Sequence, residues 1–180
     1  MSTQAKLFTI IAILSVTFLY ADYERKKVVK LKESSGTYVL QNLPDFELSL
    51  LKDGPTNSLE VLKNSNALMV HFWGTWCAPC EVEFPDLLTF AKKLEERNIV
   101  FVLLAVKDEK KKVKKFLKRF KELPKNIVIS VHEDTKLMTR FGTFKVPETF
   151  LFGKSGKLLR KYVGPQEWLN PVYLGQLSIL

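Results

Sequence analysis

The chain has two cysteines, and two residues separate them in Trp76-Cys77-Ala78-Pro79-Cys80. The pair follows a short apolar run and precedes a helical pattern. A cysteine at a helix N-terminus faces unpaired backbone N–H groups and the positive end of the dipole, and both stabilise a thiolate. Two intervening residues put both sulfurs at one helix end, close enough for a bridge. Pro79 suits the first turn, which has no use for its missing N–H. Cys77 is then expected to be the exposed nucleophile. Cys80 is expected to be the resolving thiol that releases the mixed disulfide.

Other uses of two thiols fit less well. Tetrahedral zinc wants four ligands, and the chain offers two Cys and two His. His71 lies six residues upstream and His132 far along the chain, so no metal site is expected. A bridge over a two-residue gap closes a tiny loop and contributes little as a structural staple. No cofactor is expected either.

The elements that position the pair come next. Ala67 to Trp73 is a short, mostly apolar run, typical of a strand buried on both faces. Pro85 to Arg97 carries Leu87, Leu88, Ala91 and Leu94 at helical spacing. Ile99 to Val106 is a second buried strand. Lys110 to Leu123 is a second helix with Val113, Phe116, Leu117 and Phe120 on one face. Phe150 to Phe152 and Lys157 to Val163 flank Gly153-Lys154-Ser155-Gly156, which reads as a hairpin. Trp168 onward reads as a final helix with Pro171 in its first turn. This order implies an α/β fold with a mixed central sheet covered by helices on both faces.

With 180 residues and thirteen Phe, the chain can bury a core without disulfide staples. The net charge of +9 sits largely in two runs, Arg25 to Lys32 and Lys107 to Lys121. Neither run is interleaved with aromatics or Gly in the manner of an RNA-binding patch, so no nucleic-acid partner is expected. Eight basic residues lie between Lys110 and Lys121. A solvated helix face is the default reading of them, and the sharper alternative is a role in meeting acidic partners or anionic lipid.

Residues 7–21 are uncharged and mostly apolar, too short at about 1.5 Å per residue for a ~30 Å hydrocarbon core. They read as an uncleaved signal-anchor (residues 1–21) rather than a removed signal, since Leu19 occupies the place where cleavage wants a small residue. Residues 22–36 read as a juxtamembrane linker and 37–180 as the folded domain. Arg25, Lys26, Lys27, Lys30 and Lys32 follow the apolar run, and by the positive-inside rule they argue for a cytoplasmic domain. Export is nevertheless expected.

Phe72-Trp73-Gly74-Thr75-Trp76-Cys77-Ala78-Pro79-Cys80 closely resembles the active-site run of the thioredoxin superfamily. The flanks resemble the TlpA/ResA-like group, which includes the DsbE/CcmG proteins of cytochrome c maturation. Leu43-Pro44-Asp45-Phe46-Glu47-Leu48 looks like that group's opening strand, and Glu81-Val82-Glu83-Phe84-Pro85 like its segment after the dithiol. Val146-Pro147-Glu148-Thr149-Phe150 resembles its cis-proline loop, and Gly164-Pro165-Gln166-Glu167-Trp168 a C-terminal segment of TlpA-like members. The resemblance implies a thioredoxin-like fold over about residues 38–180, with Pro147 cis and packed against the dithiol. It implies that Trp76, Val146 and Pro147 bind substrate and that Cys77 and Cys80 form the redox disulfide.

The resemblance also implies that Glu83 takes the proton from Cys80 as the mixed disulfide resolves; the alternative is an exposed first-turn glutamate favoured by the dipole. Two positions depart from the family pattern. His71 stands where thioredoxins carry a buried Asp, as a proton shuttle or as a hydrogen-bonded core histidine. Lys145 stands where DsbE/CcmG-like loops carry Gly, which weakens the cytochrome-specific assignment. The function expected is that of a membrane-anchored reductant of protein disulfides outside the cytoplasm. Apocytochrome c is the expected client and a membrane protein the expected electron donor. The alternatives are a binding module for Cys-containing chains and a copper(I)-delivery protein.

Overall fold

The computed structural model describes residues 15–22, 40–52, 54 and 56–177. Two compact units divide the chain, residues 1–39 and 40–180. Of the first, residues 15–22 are helical, with Val16, Phe18, Leu19 and Tyr20 exposed. Most of the apolar run, and all of the linker read from the sequence except Asp22, lie outside the described residues. Among the described residues, no helix is long and apolar enough to cross a membrane.

The second unit is built around β1 (Ala67–Trp73) and β2 (Ile99–Val106), which run parallel from Ala67 opposite Ile99 to Trp73 opposite Ala105. β3 (Ile127–His132) extends the sheet in parallel beyond β2. On the other side β4 (Glu148–Gly153) pairs antiparallel with β1, and β5 (Leu158–Val163) antiparallel with β4. The order is β3-β2-β1-β4-β5. Every residue of β1 is buried, as a central strand covered on both faces requires.

The two-residue period of the strands sorts their side chains into two cores. Ala67, Met69, Trp73, Phe101, Leu103 and Ala105 face one layer, with residues of α2 (Ala78–Lys93), α3 (Lys110–Leu117) and α5 (Pro171–Leu177). Leu68, Val70, Phe72, Val102 and Leu104 face the other, with α1 (Ser58–Lys63), α4 (Lys136–Arg140) and the segment from Leu40 to Leu48. The mixed sheet with helices on both faces is therefore as the sequence implied. His71 has the parity of Met69 and Trp73, which directs it toward the layer that holds α2.

Several boundaries differ from the sequence reading. The first long helix starts at Ala78, not Pro85, and holds Pro85 inside it. A separate 3-10 turn covers Glu95–Arg97. α3 ends at Leu117 rather than Leu123, and Phe120 and Leu123 still pack against the core from the turns that follow. β3 and the short helices α1 and α4 have no counterpart in the sequence reading. The opening strand at Leu43 to Leu48 is not formed. That stretch makes only isolated bridges, Asn42 to Lys157 and Glu47 to Asn57, while Ser58 Oγ accepts the Phe46 N–H at 3.1 Å. Pro44 has no N–H to give a ladder, which explains part of the failure. The last helix begins at Pro171, leaving Trp168 in the turn before it.

Candidate active site

β1 ends at Trp73, and Gly74-Thr75-Trp76 turn the chain into α2. Cys77 is the N-cap residue, in extended backbone geometry, and its sulfur accepts the Cys80 N–H at 3.3 Å. Ala78 and Pro79 open the helix. This is the placement expected from the sequence, and it aims the helix N-terminus at the Cys77 sulfur. The two sulfurs are bridged, with Cα atoms 5.3 Å apart. Cys77 keeps 5% of its surface accessible and Cys80 none. An incoming thiol or disulfide can therefore meet Cys77 and not Cys80.

The turn is held by residues that the sequence reading passed over. The Asp108 carboxylate accepts the Thr75 N–H at 2.6 Å, the Thr75 hydroxyl at 3.1 Å and the Glu109 N–H at 2.9 Å. The Trp76 ring N–H donates to the Val106 carbonyl at 2.9 Å, which lays the half-exposed indole over Gly74. A Cβ on Gly74 would come within 2.6 Å of the indole nitrogen, so only Gly lets the ring lie there. The sole signal for Asp108 in the sequence is an acidic residue between a buried strand and a lysine-rich helix, which also describes an ordinary cap. Asp108→Ala is expected to cost about 1–3 kcal/mol, because it strips the acceptors from part-buried donors of the dithiol turn. Urea unfolding of the oxidised protein measures this. An unchanged midpoint would mean that the turn is held by other contacts.

The Val146–Pro147 bond is cis, and Pro147 is buried. Phe72 pairs with Glu148, so continuing that register by one residue places Pro147 across from Trp73 at the dithiol end of the sheet. The Pro147 carbonyl accepts the Gly164 N–H at 3.0 Å. Val146 is half-buried and packs against the core cluster that includes Cys77 and Cys80. Lys145 is exposed, and Phe144 beside it is 87% exposed, an apolar surface that the sequence reading did not single out.

Glu83 lies one helical turn after Cys80 on the same inward face of α2. It is buried, not an exposed first-turn glutamate. Its Oε2 accepts the Gln166 N–H at 2.8 Å and the Trp168 ring N–H at 3.1 Å. The Gly164 to Trp168 segment, noticed in the sequence only as a resemblance, thus clamps this carboxylate. Trp168 is itself fully buried and stacked on Phe90 at 5.5 Å. Burial pushes the Glu83 carboxyl up to about 7, against the opposing pull of these two hydrogen bonds.

Its other oxygen, Oε1, has no hydrogen-bond partner and lies 3.7 Å from His71 Nε2, which also has none. His71 Nδ1 is 2.8 Å from the Thr149 hydroxyl, its cross-strand neighbour. Burial lowers the His71 pKa to about 3, so the ring is neutral. A hydroxyl both donates and accepts, so either neutral tautomer is satisfied at Nδ1. The ring can then offer Nε2 as acceptor to a protonated Glu83 or as N–H donor to an ionised one. His71 is a hydrogen-bonded core histidine that also adjoins the acid. Among the described residues, no group of three or more His, Cys, Asp or Glu side chains could hold a metal.

A helix-capping dithiol with one accessible sulfur, beside a cis-proline loop on a mixed sheet, exchanges thiols for disulfides. In class the protein is a thiol–disulfide oxidoreductase of thioredoxin-like fold. The chain belongs to the Redoxin family, whose sequence profile matches residues 39–177, and within it to the TlpA/ResA/DsbE-like proteins. It is 29% identical over 123 residues to thiol-disulfide oxidoreductase ResA of Bacillus cereus (strain ZK / E33L), covering 68% of each chain. It is 31% identical over 137 residues to thiol:disulfide interchange protein DsbE of Pseudomonas aeruginosa, covering 72% of each. A thioredoxin-family thiol:disulfide interchange protein of Chlorobium tepidum superposes with a TM-score of 0.62 at 26% identity, over 78% of this chain and 97% of that one.

Proposed function

We propose that this oxidoreductase works as a reductant of protein disulfides outside the cytoplasm, held to the membrane by residues 1–21 with residues 22–36 as a spacer. The observation that carries the direction of attack is the contrast between an accessible Cys77 and a sealed Cys80. In the reduced protein the Cys77 thiolate attacks a client disulfide and expels one client thiolate. The Cys80 thiol loses its proton to Glu83, attacks Cys77 Sγ and expels the second client thiolate; the two expelled thiolates take up two protons, one returned by Glu83 and one from water. The client leaves with two thiols and the protein keeps the Cys77–Cys80 disulfide. Trp76, Val146 and Pro147 frame the client strand. A membrane dithiol donor then restores the reduced form.

The client we favour is an apocytochrome c whose haem-attachment cysteines have been oxidised, in keeping with the ResA- and DsbE-like relatives. A single-turnover assay tests it. The pre-reduced full-length protein is mixed with a disulfide-bonded peptide carrying Cys-X-X-Cys-His, and free peptide thiols are counted. One peptide reduced per protein is expected. No reduction, or reduction no faster than by dithiothreitol, would remove the client. Orientation is tested separately with a membrane-impermeant maleimide on cells whose outer layers are opened and cytoplasmic membrane intact. Reduced Cys77 is expected to be labelled, and labelling only after lysis would place the domain in the cytoplasm.

A further inference from the structure

The lysine-rich helix α3 is part of the wall beside the dithiol. At its start, the Asp108 carboxylate holds both the Thr75 N–H of the dithiol turn and the N–H of Glu109, the residue that precedes α3. Beyond its end, Arg119 pairs with Glu81, which follows Cys80 in the first turn of α2. Between these ties the inner face of α3 packs Phe116 on Trp73 and Phe84, with ring centroids 5.1 and 5.0 Å apart. The helix is thus fastened at both ends to the segments that carry Cys77 and Cys80. Its outward face is fixed alongside them.

That outward face is positive beyond any internal need. Lys110, Lys111, Lys112, Lys114, Lys115, Lys118, Arg119 and Lys121 are all exposed. Only Lys112 and Arg119 of these form ion pairs among the described residues, with Glu109 and Glu81. The carboxylates of Glu109 and Glu81 are therefore already answered. Lys110 and Lys114, and Lys111 and Lys115, stand four apart on the helix, and Lys118 caps its end four residues after Lys114, a spacing at which like charges weaken it. A solvated surface helix gains from alternating signs, and neither α3 nor the turn after it, up to Lys121, has an acidic residue to supply them.

We infer that the outward face of α3 is a docking surface for a protein partner that carries acidic residues around its own cysteine pair. The inference rests on the reading of Cys77 as the nucleophile. A positive wall beside a reactive sulfur concentrates acidic partners and orients them before exchange, which raises the association rate. The Cys77 thiolate gains little from these lysines directly, because exposed charges at a distance are screened. The benefit falls on the partner.

The test uses the full-length, pre-reduced protein and two synthetic peptides with the same internal disulfide, one flanked by Asp and one by Lys. At low ionic strength the acidic peptide is expected to be reduced at least about tenfold faster, a difference that collapses in ~0.5 M salt. The triple variant Lys111→Gln, Lys114→Gln, Lys118→Gln is expected to bring the ratio below about twofold while its rate with an uncharged small disulfide stays at the wild-type value. Equal wild-type rates for the two peptides would overturn the inference while leaving thiol–disulfide exchange intact. Failure of the wild type to reduce even the uncharged disulfide would sink the nucleophile reading and the docking surface with it. Sedimentation with phosphatidylserine vesicles distinguishes a lipid partner. Wild type and variant are expected to bind alike, and loss of vesicle binding in the variant would assign the lysines to the membrane instead.

Discussion

Cys77→Ser is expected to lower disulfide reduction to background, a fall on the order of 10³-fold or more, while Cys80→Ser accumulates a mixed disulfide with its substrate. The asymmetry follows from the way one helix presents two sulfurs. Cys77 caps α2, where unpaired N–H groups stabilise its thiolate, and it retains a small accessible surface. Cys80 is one turn inside, fully buried, and its backbone N–H already serves the Cys77 sulfur. A serine at 77 leaves no reachable nucleophile. A serine at 80 leaves the attack intact and removes the group that would release the product. Non-reducing electrophoresis after mixing with a disulfide-bonded protein shows the trapped adduct as a band that dithiothreitol removes. Trapping by Cys77→Ser and not by Cys80→Ser would reverse the roles and contradict the helix-end argument.

Glu83→Gln is expected to move two observables in opposite directions. Exchange should slow, by about 10²-fold if Glu83 is the proton acceptor for Cys80. Stability of the oxidised protein should rise at alkaline pH. Burial holds the carboxyl near 7, above its ordinary 4.5, so ionising it in the folded state is penalised. The wild-type contribution is fully present below about 4.5 and is lost as pH rises through about 7, amounting to on the order of 3 kcal/mol. Glutamine carries no charge at either pH. Its side-chain oxygen can still accept the Gln166 and Trp168 N–H groups, and its amide can face the neutral His71. Urea denaturation at pH 4 and pH 8 should therefore separate the two proteins only at the higher pH. The pH dependence of exchange should lose the inflection near 7 that Glu83 contributes. Identical rate profiles and identical denaturation midpoints at pH 8 would reduce Glu83 to a buried structural acid.

The sequence determined the chemistry and the strands that carry it. Two cysteines two residues apart, after an apolar run and before a helix, point to thiol–disulfide exchange over a zinc site or a structural staple, which need ligands or loop lengths the chain lacks. β1 and β2 were legible to the residue, since a strand buried on both faces must be apolar throughout and therefore stands out. β3 was not legible. It is an edge strand, and its Ile127, Val128 and His132 are only partly buried, so its pattern is diluted.

Only the tertiary structure decided what surrounds the sulfurs. Asp108 and Thr75 are 33 residues apart, and Glu83 and Trp168 are 85 apart. No local pattern of residue types encodes such a pairing, because it depends on which face of the sheet each element packs against. The same cause decided against the alternative of an exposed first-turn acid at Glu83. Helix phase points it inward, and the chain returning from β5 closes over it with the Gln166 N–H and the Trp168 ring. His71 was readable as a buried histidine and not as that acid's neighbour. Strand parity puts it on the α2 face of the sheet, and only the placement of α2 on that face brings the two side chains within 3.7 Å.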